Sequence, residues 1–143
     1  MRRAILGWGS ILLIISMAVI SYAGMEKVAI SKDNLADLKG IWRGDRSVGP
    51  GHIPITDLEI LNDSLPLQGK FTFYEVRAPG RPPRTVAFDF KKGRINKQGN
   101  LLIGGGGDST EIELSLYKDD GKMKLEGKYF WYGEKGTMSL KKK

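Results

Sequence analysis

Cysteine is absent from this chain of 143 residues, which excludes disulfides, thiolate nucleophiles, cysteine-ligated metals and acylation at an N-terminal cysteine. Histidine is nearly absent as well. His52 stands alone, so there is no His/Cys cluster to hold a metal, and no cofactor is expected. Ser47 precedes His52 by five residues in one Gly- and Pro-rich stretch, but without an orienting acid the pair falls short of a hydrolytic triad. Paired carboxylates do occur, Asp57 with Glu59 and Glu111 with Glu113. Each pair sits at alternate positions of an expected strand and so shares one outer face, whereas a glycosidase needs its carboxylates opposed across a cleft. A non-enzymatic protein is the expectation. Long apolar runs are also missing after residue 23, and no helical segment separates the apolar stretches, which argues against a βαβ arrangement.

What the chain does have begins at the N-terminus. Arg2 and Arg3 precede a mostly apolar run over 4–20, and Ser21-Tyr22-Ala23 closes it in a small-x-small pattern before Gly24. This reads as a signal peptide cut after Ala23, and places the protein outside the cytoplasm, periplasmic or extracellular. Residues 5–23 are also just long enough, at 19, to cross a bilayer as a retained anchor. The whole chain carries 23 basic and 16 acidic side chains; without 1–23, which hold two arginines and no carboxylate, the balance is 21 to 16, a net of +5. A charge that modest and mixed does not point to nucleic acid, and suits an anionic polymer or lipid of the cell envelope. Basic groups gather at Arg77, Arg81 and Arg84, at Lys91, Lys92, Arg94 and Lys97, and in the tail Lys141, Lys142 and Lys143.

Three copies of Leu-x-Gly-x-aromatic organise the remainder: Leu38, Gly40 and Trp42; Leu67, Gly69 and Phe71; Leu125, Gly127 and Tyr129. The marked residues alternate, so in a strand they share a face, and the glycine lets a second layer come close or the strand coil. Strands are expected at 38–45, 55–61, 67–76, 85–91, 101–103, 110–118, 123–132 and 137–140. The stretch 47–54 reads as a loop, Gly93 as a turn, 104–107 as a glycine loop, and Asp119-Asp120-Gly121-Lys122 as a hairpin turn. A lead-in over 24–37 carries one helical turn near 35–39. The fold class is therefore all-β, a small antiparallel up-and-down meander forming a closed or nearly closed barrel in one domain, 38–143, after the signal peptide and lead-in.

Gly40-Ile41-Trp42 resembles the Gly-x-Trp that opens the first strand of calycin barrels, the lipocalin and avidin-like proteins. The resemblance implies a strand at Trp42, a place for its ring at the barrel's closed end, and a small apolar ligand inside. The chain departs from the calycins in strands so short that a roomy eight-stranded barrel is hard to build. Phe71, Phe73, Phe88, Phe90, Tyr129 and Trp131 also point inward by parity, where they would fill ligand space.

The same parity turns Tyr74, Tyr117, Phe130 and Tyr132 outward. Exposed aromatics near Arg77, Arg81 and Arg84 suggest a contact surface with a basic rim. Two functions follow from the sequence. One is an exported binding module that meets a protein partner or anionic envelope polymer through this outer surface, with those seven residues as its site. The other is a calycin-like carrier of a small apolar molecule.

Overall fold

The computed structural model describes residues 24–48, 51–75, 79–82, 84–104 and 110–143, and at Val48, 51–55 and Glu75 the backbone alone. Residues 1–23, where the signal peptide is expected, Arg77, the His52 side chain and residues 105–107 of the glycine run lie outside the described residues.

Period-two patterning sets the strands. In β7 (Thr110–Asp119), Ile112, Leu114 and Leu116 are fully buried while Glu111, Glu113 and Ser115 face out, as expected of a wall with one wet side. The remaining strands are β1 (Glu26–Val28), β2 (Gly40–Val48), β3 (Gly51–Ile60), β4 (Leu67–Glu75), β5 (Arg84–Ile95), β6 (Leu101–Gly104), β8 (Lys122–Trp131) and β9 (Glu134–Lys142), with a 3-10 helix at Leu35–Leu38. From β2 to β9 each strand pairs antiparallel with the next, and β9 returns to β2, closing a ring of eight. β1 stays outside the ring and takes the edge of β7 at Leu116–Lys118, where the short β6 stops.

One end of the barrel is sealed by the 3-10 helix. Its Leu38 is fully buried, and the Leu38 carbonyl accepts a hydrogen bond of 2.8 Å from the indole Nε1 of Trp42. Lys142 lies over the Trp42 ring, 5.6 Å from its centroid, and its Nζ donates to the Asp37 carbonyl. Trp42 thus sits where the calycin resemblance implies. Above it the interior is filled by Leu58, Ile60, Leu67, Phe71, Leu114, Leu125 and Leu140.

The glycines of the repeated pattern divide by mechanism. A Cβ added to Gly69 would lie 2.0 Å from the Glu59 carbonyl oxygen, and one added to Gly127 would lie 1.9 Å from that of Glu113. At both places the neighbouring strand passes directly over the α-carbon, the close approach that a small, strongly coiled barrel requires.

The strands are longer than the sequence suggested. The stretch 47–54 is not a free loop: β2 runs to Val48 and β3 begins at Gly51, so the hairpin extends almost to its tip. Pro54, which lacks an N–H, is tolerated because the register shifts between Gly44 and Asp45, and Pro54 falls opposite Asp45 just past the bulge. Gly93 does not turn the chain but pairs with Leu67 inside a twelve-residue β5. With most walls nine to twelve residues long, strand length does not prevent an eight-stranded barrel. The lead-in also contributes a strand, β1, which its charged sequence did not reveal.

Candidate functional site

The ring is weakest between β5 and β6. β5 pairs with β4 from Arg84 to Phe90 and again at Gly93, but meets β6 only at Arg94 and Ile95. Among the described residues, the other edge of 84–92 has no strand partner. A cleft of about 650 Å³ opens there, reaching the inward side chains Val86, Phe88 and Phe90 on one wall and Ile103, Gly104 and Thr110 on the other, with Trp131 and Tyr132 at its head. Asp89, Lys91 and Lys92, on the outer face of β5, form its polar rim.

The cleft continues inward as stacked rings. Trp131 packs on Phe73 at 5.0 Å between centroids, Phe73 lies 5.8 Å from Phe88, and Phe71 lies 5.6 Å from Phe88 and 6.2 Å from Phe90. These contacts are of the stacked and tilted kinds that aromatic pairs favour, and with Phe71 and Phe73 fully buried they fill the space between the cleft and the core.

Behind this wall is a side chain that the expected strand, ending at Asp45, left out. Arg46 is 1% exposed. Its guanidinium carbon lies 5.0 Å from the Phe73 ring centroid, 5.4 Å from that of Tyr129 and 5.9 Å from that of Trp131. Nη1 donates to Glu134 Oε2 at 2.7 Å and to the Tyr129 hydroxyl at 3.1 Å, and that hydroxyl donates to the Ser47 carbonyl at 2.8 Å. A charge this deep is tolerated through its carboxylate and the three ring faces. Burial raises the Tyr129 pKa above 10, opposed by the hydrogen bond from Arg46. Arg46 Nε and the hydroxyl of buried Thr56 find no hydrogen-bond partner among the described residues. Both face the barrel interior, on β2 and β3. The signal for Arg46 was legible: continuing the parity of Trp42 through Gly44 turns position 46 inward.

Of the residues expected to form an outer contact surface, Arg77 lies outside the described residues, and the other six are half-buried or exposed and spread over the molecule. Tyr117 is half-buried toward the closed end, opposite Lys27 of β1 and beneath Lys124, whose Nζ lies 5.5 Å from its ring. Phe130 pairs with Glu111, six residues along β7 from Tyr117, roughly 20 Å at strand rise, and carries Lys135 at 6.0 Å. Tyr74 is half-buried opposite Thr85, beside exposed Arg84, and Arg81 is exposed in the turn before it. Tyr132, at 75% exposure, is the one of the four aromatics that reaches the cleft.

One member of each carboxylate pair is held by another group. Asp57 takes a two-pronged contact from Arg43 directly across the β2–β3 ladder, at 2.6 and 2.9 Å. Glu113 accepts from Asn100 at 3.0 Å and Asn96 at 2.8 Å; those two hydrogen bonds pull its pKa below the ordinary glutamate value. Ser115 completes the network by donating to Asn100 Oδ1, fixing the β5–β6 connection to β7.

No protein-family model, curated protein or solved structure matches the chain.

Proposed function

We propose that this protein is an exported, non-enzymatic binding module that takes a small, largely apolar ligand into the cleft beside β5. The observation that carries this reading is the cleft beside 84–92, a stretch that has no strand partner on its β6 side among the described residues. About 650 Å³, bordered by Phe88, Phe90, Val86, Ile103 and Trp131, is within the range of small-molecule sites, and its apolar lining with a charged rim suits a compact ring-bearing or aliphatic molecule. The packed lower half, from Trp42 to Phe71, is scaffold, and ligand space is confined to the upper half. This is the carrier function that the Gly40-x-Trp42 resemblance implied, moved from the barrel centre to its side. Contact with a protein or anionic polymer through Tyr74, Tyr117, Phe130 and Tyr132 draws less support, because the register sets those rings far apart along and between the strands.

The test is a titration with the neutral apolar dye N-phenyl-1-naphthylamine. Saturable fluorescence enhancement is expected, abolished in Val86→Trp, where the new ring fills the cleft, and retained in Leu61→Ala, an exposed position on the far side of the core. Dye binding that survives Val86→Trp with unchanged affinity sinks the reading.

A further inference from the structure

We propose that the sealed end of the barrel rests on an anionic lipid bilayer and holds the cleft away from it. A groove of about 580 Å³ at this end is floored by Met25 and Met123 and lined by Lys122, Lys141, Lys142 and Lys143, with Asp119 as its carboxylate. Lys142 is committed to the Asp37 carbonyl and the Trp42 ring, so Lys122, Lys141 and Lys143 are the groove cations exposed for an external partner. Lys39 extends the same rim, because Lys143 donates its backbone N–H to Ile41, two residues on. Two nearby carboxylates do not cancel this charge: Asp37 is paired with Lys118 and Glu126 with Lys124. Glu26, beside Met25, and Asp119 and Asp120 in the turn remain against Lys39, Lys122, Lys141, Lys142 and Lys143, so the groove and rim keep an excess of lysines.

The path of the chain selects a bilayer from among anionic partners. Met25, in the groove, follows the apolar run over 4–20 by five residues, which span at most roughly 17 Å when fully extended. While that run is in a membrane, the lysines therefore stand within about two screening lengths of the head groups. If the run is removed after Ala23, the new α-amino group of Gly24 adds a positive charge at the same place. Each lysine near an anionic surface favours contact roughly fivefold. The geometry has a consequence for the cleft. Lys122 and Trp131 are the two ends of the ten-residue β8, roughly 30 Å apart, so a barrel seated on its lysines presents the cleft to the surrounding solution.

The test uses the full chain reconstituted in vesicles of phosphatidylglycerol or of phosphatidylcholine. Because the chain is free of cysteine, single dye labels can be placed at Leu61→Cys, by the sealed end, or Lys135→Cys, by the other end, and read against a quencher attached to lipid head groups. On phosphatidylglycerol the dye at 61 is quenched and the dye at 135 is spared. Lys122→Gln, Lys141→Gln and Lys143→Gln together lower the end-on population about 100-fold, and roughly 0.5 M salt does the same to the unmutated protein without any risk to the fold. Equal quenching at both labels overturns the proposal, as does the same pattern on phosphatidylcholine. Soluble polyphosphate capture without end-on quenching on phosphatidylglycerol also overturns it, in favour of a polymer partner. None of these readouts depends on dye uptake by the cleft.

Discussion

Gly127→Ala puts the barrel's tightest coiling to a numerical test. The added methyl carbon would lie 1.9 Å from the Glu113 carbonyl oxygen, 2.9 Å from its carbonyl carbon and 3.0 Å from the Leu114 α-carbon. All three are backbone atoms of β7, a strand flanked by β8, β6 and β1, so no flexible side chain can move aside. Relief requires the β7–β8 ladder to part by more than an ångström, which combines overpacking of about 1–3 kcal/mol with one or two weakened ladder hydrogen bonds of about 1 kcal/mol each. The total, about 3–5 kcal/mol, is a large part of the whole stability of a domain this size. In urea, with a slope of about 1.5 kcal/mol per molar, the midpoint falls by roughly 2–3 M. Gly121→Ala is the control. That glycine, in the β7–β8 turn, has φ +80 and nothing within 4 Å of its added carbon, so it incurs only the left-handed backbone cost of about 1 kcal/mol. Equal midpoints for the two variants would refute the close approach of β7 and β8 and the reason given for the repeated glycine.

Three further outcomes are expected. The Glu113 carboxyl, followed by NMR, titrates below 4.5, and Glu113→Gln removes a small stabilisation, a few tenths of a kcal/mol at so exposed a site, that is present above pH 4.5 and lost as pH falls through the lowered native value; a midpoint at or above 4.5 contradicts the Asn96–Asn100 network. Tyr129 shifts the opposite way, so its contribution is complete below pH 10 and lost as pH rises through the raised native pKa; Tyr129→Phe flattens that alkaline decline, and an unchanged profile contradicts the buried hydroxyl. Leu38→Ala, which empties a fully buried position in the end seal, lowers stability by about 2–5 kcal/mol in urea unfolding; a loss under 1 kcal/mol means the 3-10 helix is not part of the core.

Most of the wall was legible because alternation is a local property. Leu58 and Ile60, Phe71 and Phe73, Ile112, Leu114 and Leu116, and Met138 and Leu140 all face the interior as their spacing required. Closure was harder to read, since it depends on β9 finding β2 across nearly the whole chain. The hairpin at 47–54 was obscured by Pro50 and Pro54, which signal a loop unless a bulge relieves the ladder. Glu26-Lys27-Val28 is too short and charged to announce a strand, and exists because β6 leaves part of β7 uncovered. The cleft escaped for a related reason. Val86, Phe88 and Phe90 were correctly turned inward, but which residues of β5 and β6 pair, two on each strand among those described, depends on the path of both strands and not on local alternation.

The most direct measurement is chemical-shift mapping of the protein as N-phenyl-1-naphthylamine is added. The largest changes are predicted along Val86–Lys92, at Ile103 and Gly104, and at the Trp131 indole, with the Lys122–Leu125 end unmoved. Saturable changes centred on Tyr117 or Lys122, or no saturable change at all, would contradict a ligand site in the cleft beside β5.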